Sequence, residues 1–165
     1  MRIAIIDLGT NTFNLLIAKV NGDKSFALEY STKQSVKLGK GGINQHTILP
    51  DAMERGLQAV DSLMEIANRM GVAKTYAFAT SAIRSASNGH LFVELLKEIR
   101  GIEVVVLLRE VNSNKYKASM RSKGNVDVAE VCGLLGGGGH KRAAGCTIDG
   151  SIDEVKGKIK EVFKI

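Results

Sequence analysis

The sequence has one proline, no tryptophan and no low-complexity tract among its 165 residues. Chains that stay disordered are poor in apolar residues and rich in charge. Here the apolar content is 44% and the charged content 24%, which is typical of a globular protein. We therefore expect a folded chain, with one domain of ordinary size or two small ones, that buries its core without disulfides or metal ions.

Cysteines and long apolar runs are also scarce. Cys132 and Cys146 are the only cysteines, and their spacing fits no zinc or redox motif. We interpret them as reduced, buried side chains of a cytoplasmic protein. No stretch approaches the roughly 18 apolar residues of a membrane span. Asp7 interrupts the first apolar run, so we expect no signal peptide.

Basic residues outnumber acidic ones, and the formal net charge is +6. The excess is concentrated in residues 108–165, which contain 11 Lys/Arg against 7 Asp/Glu. A basic surface attracts phosphate groups and nucleic acids. The alternative is a solvated surface with surplus lysines and no ligand.

The first two thirds of the chain predict an α/β arrangement. Three strands come first, then a helix that begins at Pro50 and ends before Gly71, because its apolar residues recur at helical spacing. The predicted strands are Ile3–Ile6, Phe13–Val20, one within 25–38, Thr75–Ala79 and Ile102–Leu108, and a second helix is Leu91–Ile99. The segment TSAIRSASNG reads as a polar turn. This order of elements is that of a ribonuclease-H-like half-domain.

The last third predicts a different pattern of elements. We expect a strand at Lys115–Arg121, a helix at Val128–Leu135 capped by Asp127, and a strand near Cys146–Ile148. Ser151 and Glu154 form a capping box at the start of the last helix. No linker separates this part from the first, so we place the boundary near Leu107, inside a strand.

The segment DLGTNT, directly after the first strand, has the composition of a phosphate-binding turn. Gly9 allows close approach of the backbone, and Thr10, Asn11 and Thr12 can donate hydrogen bonds. Asp7 ends a buried strand and would orient a water molecule or an Mg²⁺ ion. The alternative is a hairpin turn with satisfied polar groups.

Two stretches, AIIDLGTNTFNLLIA and ATSAIRSASNG, resemble the exopolyphosphatase/guanosine pentaphosphate phosphatase family, which has the actin-like ATPase fold. The resemblance covers about Met1 to Leu107 and implies phosphate contacts from Gly9–Thr12 and from Arg84. That family has a glutamate base in an SGEEEA-like segment and a second half-domain. Here the corresponding residues read LLREVNSNK, and Glu110 is the only nearby carboxylate. We therefore expect weak phosphate binding and little hydrolysis.

A second phosphate signature, LLGGGGHKRAAG, lies near the other end of the chain. Successive glycines can form an anion-binding nest of N–H groups, and His140, Lys141 and Arg142 add positive charge. The alternative is a flexible surface loop. Arg121 could lie on the strand that faces these glycines. His140 has no second histidine or acidic cluster with which to bind a metal ion.

The surrounding sequence, KASMRSKGNVDVAEVCGLLGGGGHKRAAGCTIDG, resembles the DHHA1 substrate-binding domain of DHH-family phosphoesterases. The resemblance implies nucleotide contacts from Arg121, from Gly137, Gly138 and Gly139, and from His140 and Lys141. The catalytic domain of that family, with its DHH triplet and two manganese ions, has no counterpart in this sequence.

The combined prediction is an α/β protein. Residues 1–107 form a ribonuclease-H-like (actin-like ATPase) half-domain, fused through a shared strand to a DHHA1-type fragment, residues 108–165.

One hypothesis is an engineered chimera that retains phosphate or nucleotide binding, needs no cofactor and has little or no catalysis. A second is a phosphohydrolase acting on polyphosphate or a guanosine polyphosphate, with Asp7 and Glu110 as water-orienting groups and Mg or Mn present. A third is a binding module for nucleotides or short oligonucleotides. Apolar surface left by a truncated half-domain would be covered in a dimer.

Overall fold

The computed structural model describes residues 1–23, 25–42, 46–124 and 126–163. Its strands are β1 (Arg2–Leu8), β2 (Thr12–Val20), β3 (Phe26–Ser35), β4 (Lys74–Ala79), β5 (Ile102–Asn112), β6 (Lys115–Ser122), β7 (Gly138–His140) and β8 (Ala143–Asp149). Its helices are α1 (Pro50–Arg69), α2 (Ser81–Ser85), α3 (Gly89–Glu98), α4 (Val128–Leu134) and α5 (Ile152–Phe163). Within the described part of the chain, no helix is long and apolar enough to cross a membrane.

All eight strands belong to one mixed sheet, in the order β3-β2-β1-β4-β5-β6-β8-β7. Strands β1, β4 and β5 are parallel to one another, and the remaining neighbours are antiparallel. Strand β5 pairs with β4 on one side and with β6 on the other. It continues beyond the predicted end at Leu108 to Asn112 and turns into β6 at Ser113 and Asn114. The predicted α/β class is confirmed, while the fused architecture and the boundary at Leu107 stay predictions.

Alternate residues of the central strands belong to two apolar cores. On β5, Val105 and Leu107 pack with helices α1, α2 and α3, whereas Val104, Val106 and Leu108 pack with α4 and α5. Successive side chains of a strand point to opposite faces of the sheet, so the two cores lie on opposite faces. We call these the α3 face and the α5 face. Strands β4 and β5 are thus buried on both sides, as the continuous apolar sequence Ile102–Leu108 predicts for β5.

The predicted end of α1 and the predicted cap of α4 are confirmed, whereas α3 begins at Gly89, two residues before its predicted start. Helix α1 ends in a Schellman motif, in which the N–H of Gly71 donates to Asn68 and that of Val72 donates to Ala67. Asp127 caps α4 by accepting from the N–H groups of Ala129 and Glu130.

The predicted capping box is also present at the start of α5. The Glu154 carboxylate accepts from the Ser151 N–H at 2.7 Å, and the Glu154 N–H lies 3.4 Å from the Ser151 hydroxyl. The local sequence therefore sets where each of these helices starts or stops.

Two predictions of irregular structure are wrong. The segment read as a polar turn contains the short helix α2, because Ile83 is fully buried and anchors that helix turn in the core. The last two glycines of the supposed loop, with His140, form edge strand β7, paired with β8. Pairing satisfies the backbone groups that a floppy loop would leave to solvent.

Apolar side chains are exposed at one end of the sheet. Phe26 and Leu28 on edge strand β3 are 72% and 57% exposed, and Leu16 on β2 is 37% exposed. Exposed apolar surface of this kind is what a partner would cover. The dimer that would cover it stays a prediction.

Two glycines inside helices provide a test of the packing of α1. An added Cβ at Gly157 in α5 meets no atom within 4 Å, whereas one at Gly56 in α1 would lie 2.8 Å from the Phe92 ring. Replacing glycine by alanine inside a helix normally stabilises by about 0.5–1 kcal/mol. We expect Gly157→Ala to raise the free energy of unfolding by about that amount, and Gly56→Ala to lower it. Chemical denaturation of both variants measures the difference, and an equal gain in both would contradict the packing of Phe92 against α1.

Candidate functional site

One group of predicted site residues lies where the parallel strands end. Leu8, Ala79 and Leu107 occupy matching positions on β1, β4 and β5. Asp7, Thr80 and Glu110 lie at or just beyond that level and therefore at one edge of the sheet. Ligands of open α/β sheets bind at this carboxyl edge.

The turn between β1 and β2 has a compact backbone. The N–H of Gly9 donates to the carbonyl of Thr12 at 3.1 Å, and the carbonyl of Asn11 accepts from the N–H groups of Val36 and Lys37. A Cβ on Gly9 would lie 2.8 Å from the Thr12 carbonyl oxygen, so this position requires glycine. The turn is thus held at the carboxyl edge, where the sequence places phosphate contacts.

Asp7 has two partners at this edge. Its Oδ1 atom lies 3.5 Å from the Thr80 hydroxyl, and its Oδ2 atom lies 3.4 Å from Nζ of Lys156 on α5. The carboxylate is partly exposed, at 37%. The lysine was not predicted, because it lies 149 residues from Asp7 in the sequence. Asp7 therefore faces a cation of the chain itself.

The side chains at this edge do not fit a protein-held Mg²⁺ or Mn²⁺ ion. Magnesium bound by protein uses one or two carboxylates together with substrate phosphates. Asp7 offers one carboxylate, which is already neutralised by Lys156. No group of three His, Cys, Asp or Glu side chains able to hold a metal ion lies among the described residues. Mg²⁺ would enter this site only as the counterion of a phosphate substrate.

Arg84 and Glu110 form an ion pair across the same edge. Arg84 lies on α2 after β4, and its Nη1 atom is 3.7 Å from Oε2 of Glu110. The side chains are 31% and 40% exposed. Both line a cavity of about 600 Å³, together with His46 and Arg109. The structure therefore brings together the predicted phosphate-binding arginine and a glutamate predicted to orient water.

The four glycines, Gly136–Gly139, form a second candidate site, which we call the glycine segment. It borders an open cavity of 520 Å³ on the α3 face, lined also by Lys117, Ser119 and Arg121 of β6. The N–H of Gly137 donates to the Cys132 carbonyl at 2.7 Å and so fixes the segment to the end of α4. The predicted juxtaposition of Arg121 and the glycines is present in the structure.

His140 and Lys141 lie outside the residues that line this cavity. His140 pairs with Ala143 at the tight turn between β7 and β8, and both basic side chains are exposed. The Lys141 carbonyl accepts from the N–H of Val128 and so helps to begin α4. Their contribution to nucleotide binding stays a prediction.

Arg121 is held by a residue of α3. Its Nε atom donates to Oε1 of Glu94 at 3.1 Å, and Glu94 also accepts from Lys97 at 2.7 Å. These two cations, Lys97 foremost, hold the pKa of Glu94 below its usual value. The sequence did not predict this link between helix α3 and strand β6.

The buried cysteines pack behind the glycine segment. Cys132 and Cys146 are 0% and 4% exposed and belong to the same apolar core. The neighbouring Cys146 thiol, foremost, and burial raise the pKa of Cys132. They are reduced core side chains, as predicted.

The fold is similar to that of known exopolyphosphatases. The chain superposes on an exopolyphosphatase from Cytophaga hutchinsonii with a TM-score of 0.60 and 26% identity, over 76% of this chain and 48% of that one. A Ppx/GppA family member from Aquifex aeolicus gives a TM-score of 0.56 with 20% identity, over 74% and 47%. The mixed α/β sheet therefore matches the Ppx/GppA actin-like fold over about three quarters of this chain.

Sequence relatives extend this likeness. Exopolyphosphatase 1 of Mycobacterium tuberculosis and of Mycobacterium bovis are each 26% identical over 146 residues, which is 88% of this chain and 42% of the relative. The chain thus spans less than half of the length of these relatives. An alignment of that extent continues past Leu107, where the predicted resemblance ends.

Residues 73–165 match the model of the DHHA1 domain, and the chain belongs to this family. The match begins before β4, so it includes α2, α3 and β5 as well as the glycine segment. The two likenesses therefore overlap along the chain instead of meeting at one residue.

The glycines of the segment are not equivalent, and this difference can be tested. A Cβ on Gly137 would lie 2.2 Å from the Gly145 carbonyl oxygen, whereas one on Gly138 meets nothing within 4 Å. We expect Gly137→Ala to lower the free energy of unfolding by about 1–3 kcal/mol, the usual cost of overpacking, and Gly138→Ala to change it by less than about 0.5 kcal/mol. Thermal and chemical unfolding of the two variants measure this. A neutral Gly137→Ala would contradict the close approach of the segment to β8.

Proposed function

We propose that the chain is a polyphosphate phosphohydrolase that works at the carboxyl edge of β1, β4 and β5. The observation that carries the proposal is the ion pair between Arg84 and Glu110, which lies at the edge that also carries the Gly9–Thr12 turn. The likeness to exopolyphosphatases supports a phosphate polymer as the substrate.

Each residue at this edge has a role in the proposal. The guanidinium of Arg84 binds an equatorial phosphate oxygen, for which a planar cation is well suited. The Gly9–Thr12 turn positions the terminal phosphate, and the Thr10 and Thr12 hydroxyls and the Asn11 amide are its candidate donors.

Once phosphate has displaced Glu110 from Arg84, Glu110 takes a proton from the water that attacks the terminal phosphorus. The terminal P–O–P bond breaks as the new P–O bond forms, and the shortened polyphosphate leaves as an anion. Asp7 orients that water from the β1 side, and Lys156 balances its charge. These residues bind the phosphate and the water from one side, and we expect slow turnover.

The test is release of phosphate from inorganic polyphosphate, supplied as its magnesium salt, by the full chain. We expect measurable release, reduced by about 100-fold or more in Glu110→Gln, since that change removes a general base. Arg84→Ala should raise KM and lower kcat, because the arginine contacts both the bound phosphate and the transition state.

Glu65→Gln is the matched control. Glu65 is an exposed carboxylate on α1 at a distance from the carboxyl edge. Equal activities of wild type, Glu110→Gln and Glu65→Gln would rule out Glu110 as the base. If the wild type at high protein concentration releases no phosphate, the proposal is wrong, and the hypothesis of a chimera that only binds phosphate is favoured.

A second candidate function is binding of nucleotide phosphate at the glycine segment. It is favoured by the position of Arg121 beside these glycines in one open cavity and by membership of the DHHA1 domain family. In this role Arg121 contacts a phosphate group while Glu94 fixes its guanidinium.

Titration with short oligonucleotides at two salt concentrations tests this second candidate. We expect affinity to fall as salt rises, because binding releases counterions, and Arg121→Gln to weaken binding roughly tenfold. Binding that is insensitive to salt and to Arg121→Gln would exclude this site.

A further inference from the structure

Two cations lie side by side on the α3 face, between the two sites described above. Arg109 of β5 and Lys117 of β6 are cross-strand partners in the antiparallel ladder. Both side chains are exposed, and neither forms an ion pair with any residue in the described ranges. Cross-strand partners have their Cβ atoms about 5 Å apart, so these two positive charges are direct neighbours.

This arrangement costs folding free energy. Like charges directly opposite each other destabilise an antiparallel pair of strands. The nearby carboxylates are already paired with other cations. Glu94 is paired with Arg121 and Lys97, and Glu110 is paired with Arg84. An anion that binds between Arg109 and Lys117 would remove the repulsion and gain two charge-assisted hydrogen bonds.

The cavity at this pair is bounded by helix α3 and strand β6. It has a volume of 190 Å³, with His90 and Glu94 of α3 on one side and Lys117, Ser119 and Arg121 of β6 on the other. The match to the DHHA1 domain includes both of these elements. The site therefore exists only where helix α3 packs against strand β6.

The cavity also connects the two candidate sites. Arg109 lines both this cavity and the one that contains Arg84 and Glu110. Lys117, Ser119 and Arg121 line both this cavity and the one at the glycine segment. The shared residues make a continuous basic groove across the α3 face.

The geometry points to an oligophosphate subsite at Arg109 and Lys117, which holds the part of a phosphate polymer that extends away from the carboxyl edge. The identity of the ligand as a polymer rests on the proposed function, whereas the anion site itself rests on the unpaired cations. Lys117 and Arg121 are four residues apart on one strand, or about 13 Å. One orthophosphate cannot reach both, but a chain of several phosphates can.

The experiment is calorimetric titration of the full chain with orthophosphate, inorganic tripolyphosphate and long-chain polyphosphate, in EDTA so that binding is measured without turnover. We expect affinity to rise with chain length. Lys117→Gln and Arg109→Gln should each weaken binding of the long polymer roughly tenfold, and the double variant by less than the product of the two, because both cations contact one phosphate group.

Lys33→Gln is the matched control, since Lys33 is an exposed strand lysine at the far end of the same sheet. It removes the same charge and should change binding by less than about twofold. An equal loss of polyphosphate affinity in Lys117→Gln and Lys33→Gln would indicate general attraction to a basic protein and would overturn the subsite. Affinity that does not depend on the length of the polyphosphate would overturn it as well. Circular dichroism melts confirm that each variant is folded.

Release of phosphate, measured separately, distinguishes this inference from the proposed function. If the wild type releases no phosphate but Lys117→Gln weakens binding, hydrolysis at the carboxyl edge is wrong and the subsite stands. If the wild type hydrolyses polyphosphate and Lys117→Gln binds it like Lys33→Gln, the subsite is wrong and the hydrolytic site stands.

Discussion

Strand β5 is hydrogen-bonded along both edges and packed against helices on both faces. Its parallel pairing with β4 aligns the carboxyl ends at which Arg84 and Glu110 meet. Its antiparallel pairing with β6 aligns Arg109 with Lys117 and brings Arg121 to α3. Both candidate sites and the groove between them therefore depend on the register of this one strand.

Much of the fold follows from local sequence. Buried strands, helix ends and caps were predicted because each depends on residues close together in the chain, such as Gly71 with Val72 and Ser151 with Glu154. The two wrong predictions have a tertiary cause. Ile83 turns a polar segment into a helix by entering the core, and the glycines before His140 become a strand because β8 offers an edge to pair with.

The candidate sites were predictable in part. Successive side chains of a strand point to opposite faces, which places Lys117 on the same face as Arg121. This alternation could have identified Lys117 as a candidate residue, whereas the overall composition could not. The contacts of Asp7 with Lys156, and of Arg121 with Glu94, join distant parts of the chain and require the packed helices. Local patterns thus indicate which residues can bind phosphate, but not which of them a neighbouring side chain already neutralises.

The strand order also affects how the chain acquires its structure. The β1–β2–β3 meander and the β5–β6 hairpin are closed by short connections, so each can form early at a small entropic cost. Strand β4 has to enter between β1 and β5, and its pairing with β1 requires the whole of α1 to be spanned first. We therefore expect two separate nuclei, one in each part of the chain, with the insertion of β4 as the slow step that unites them.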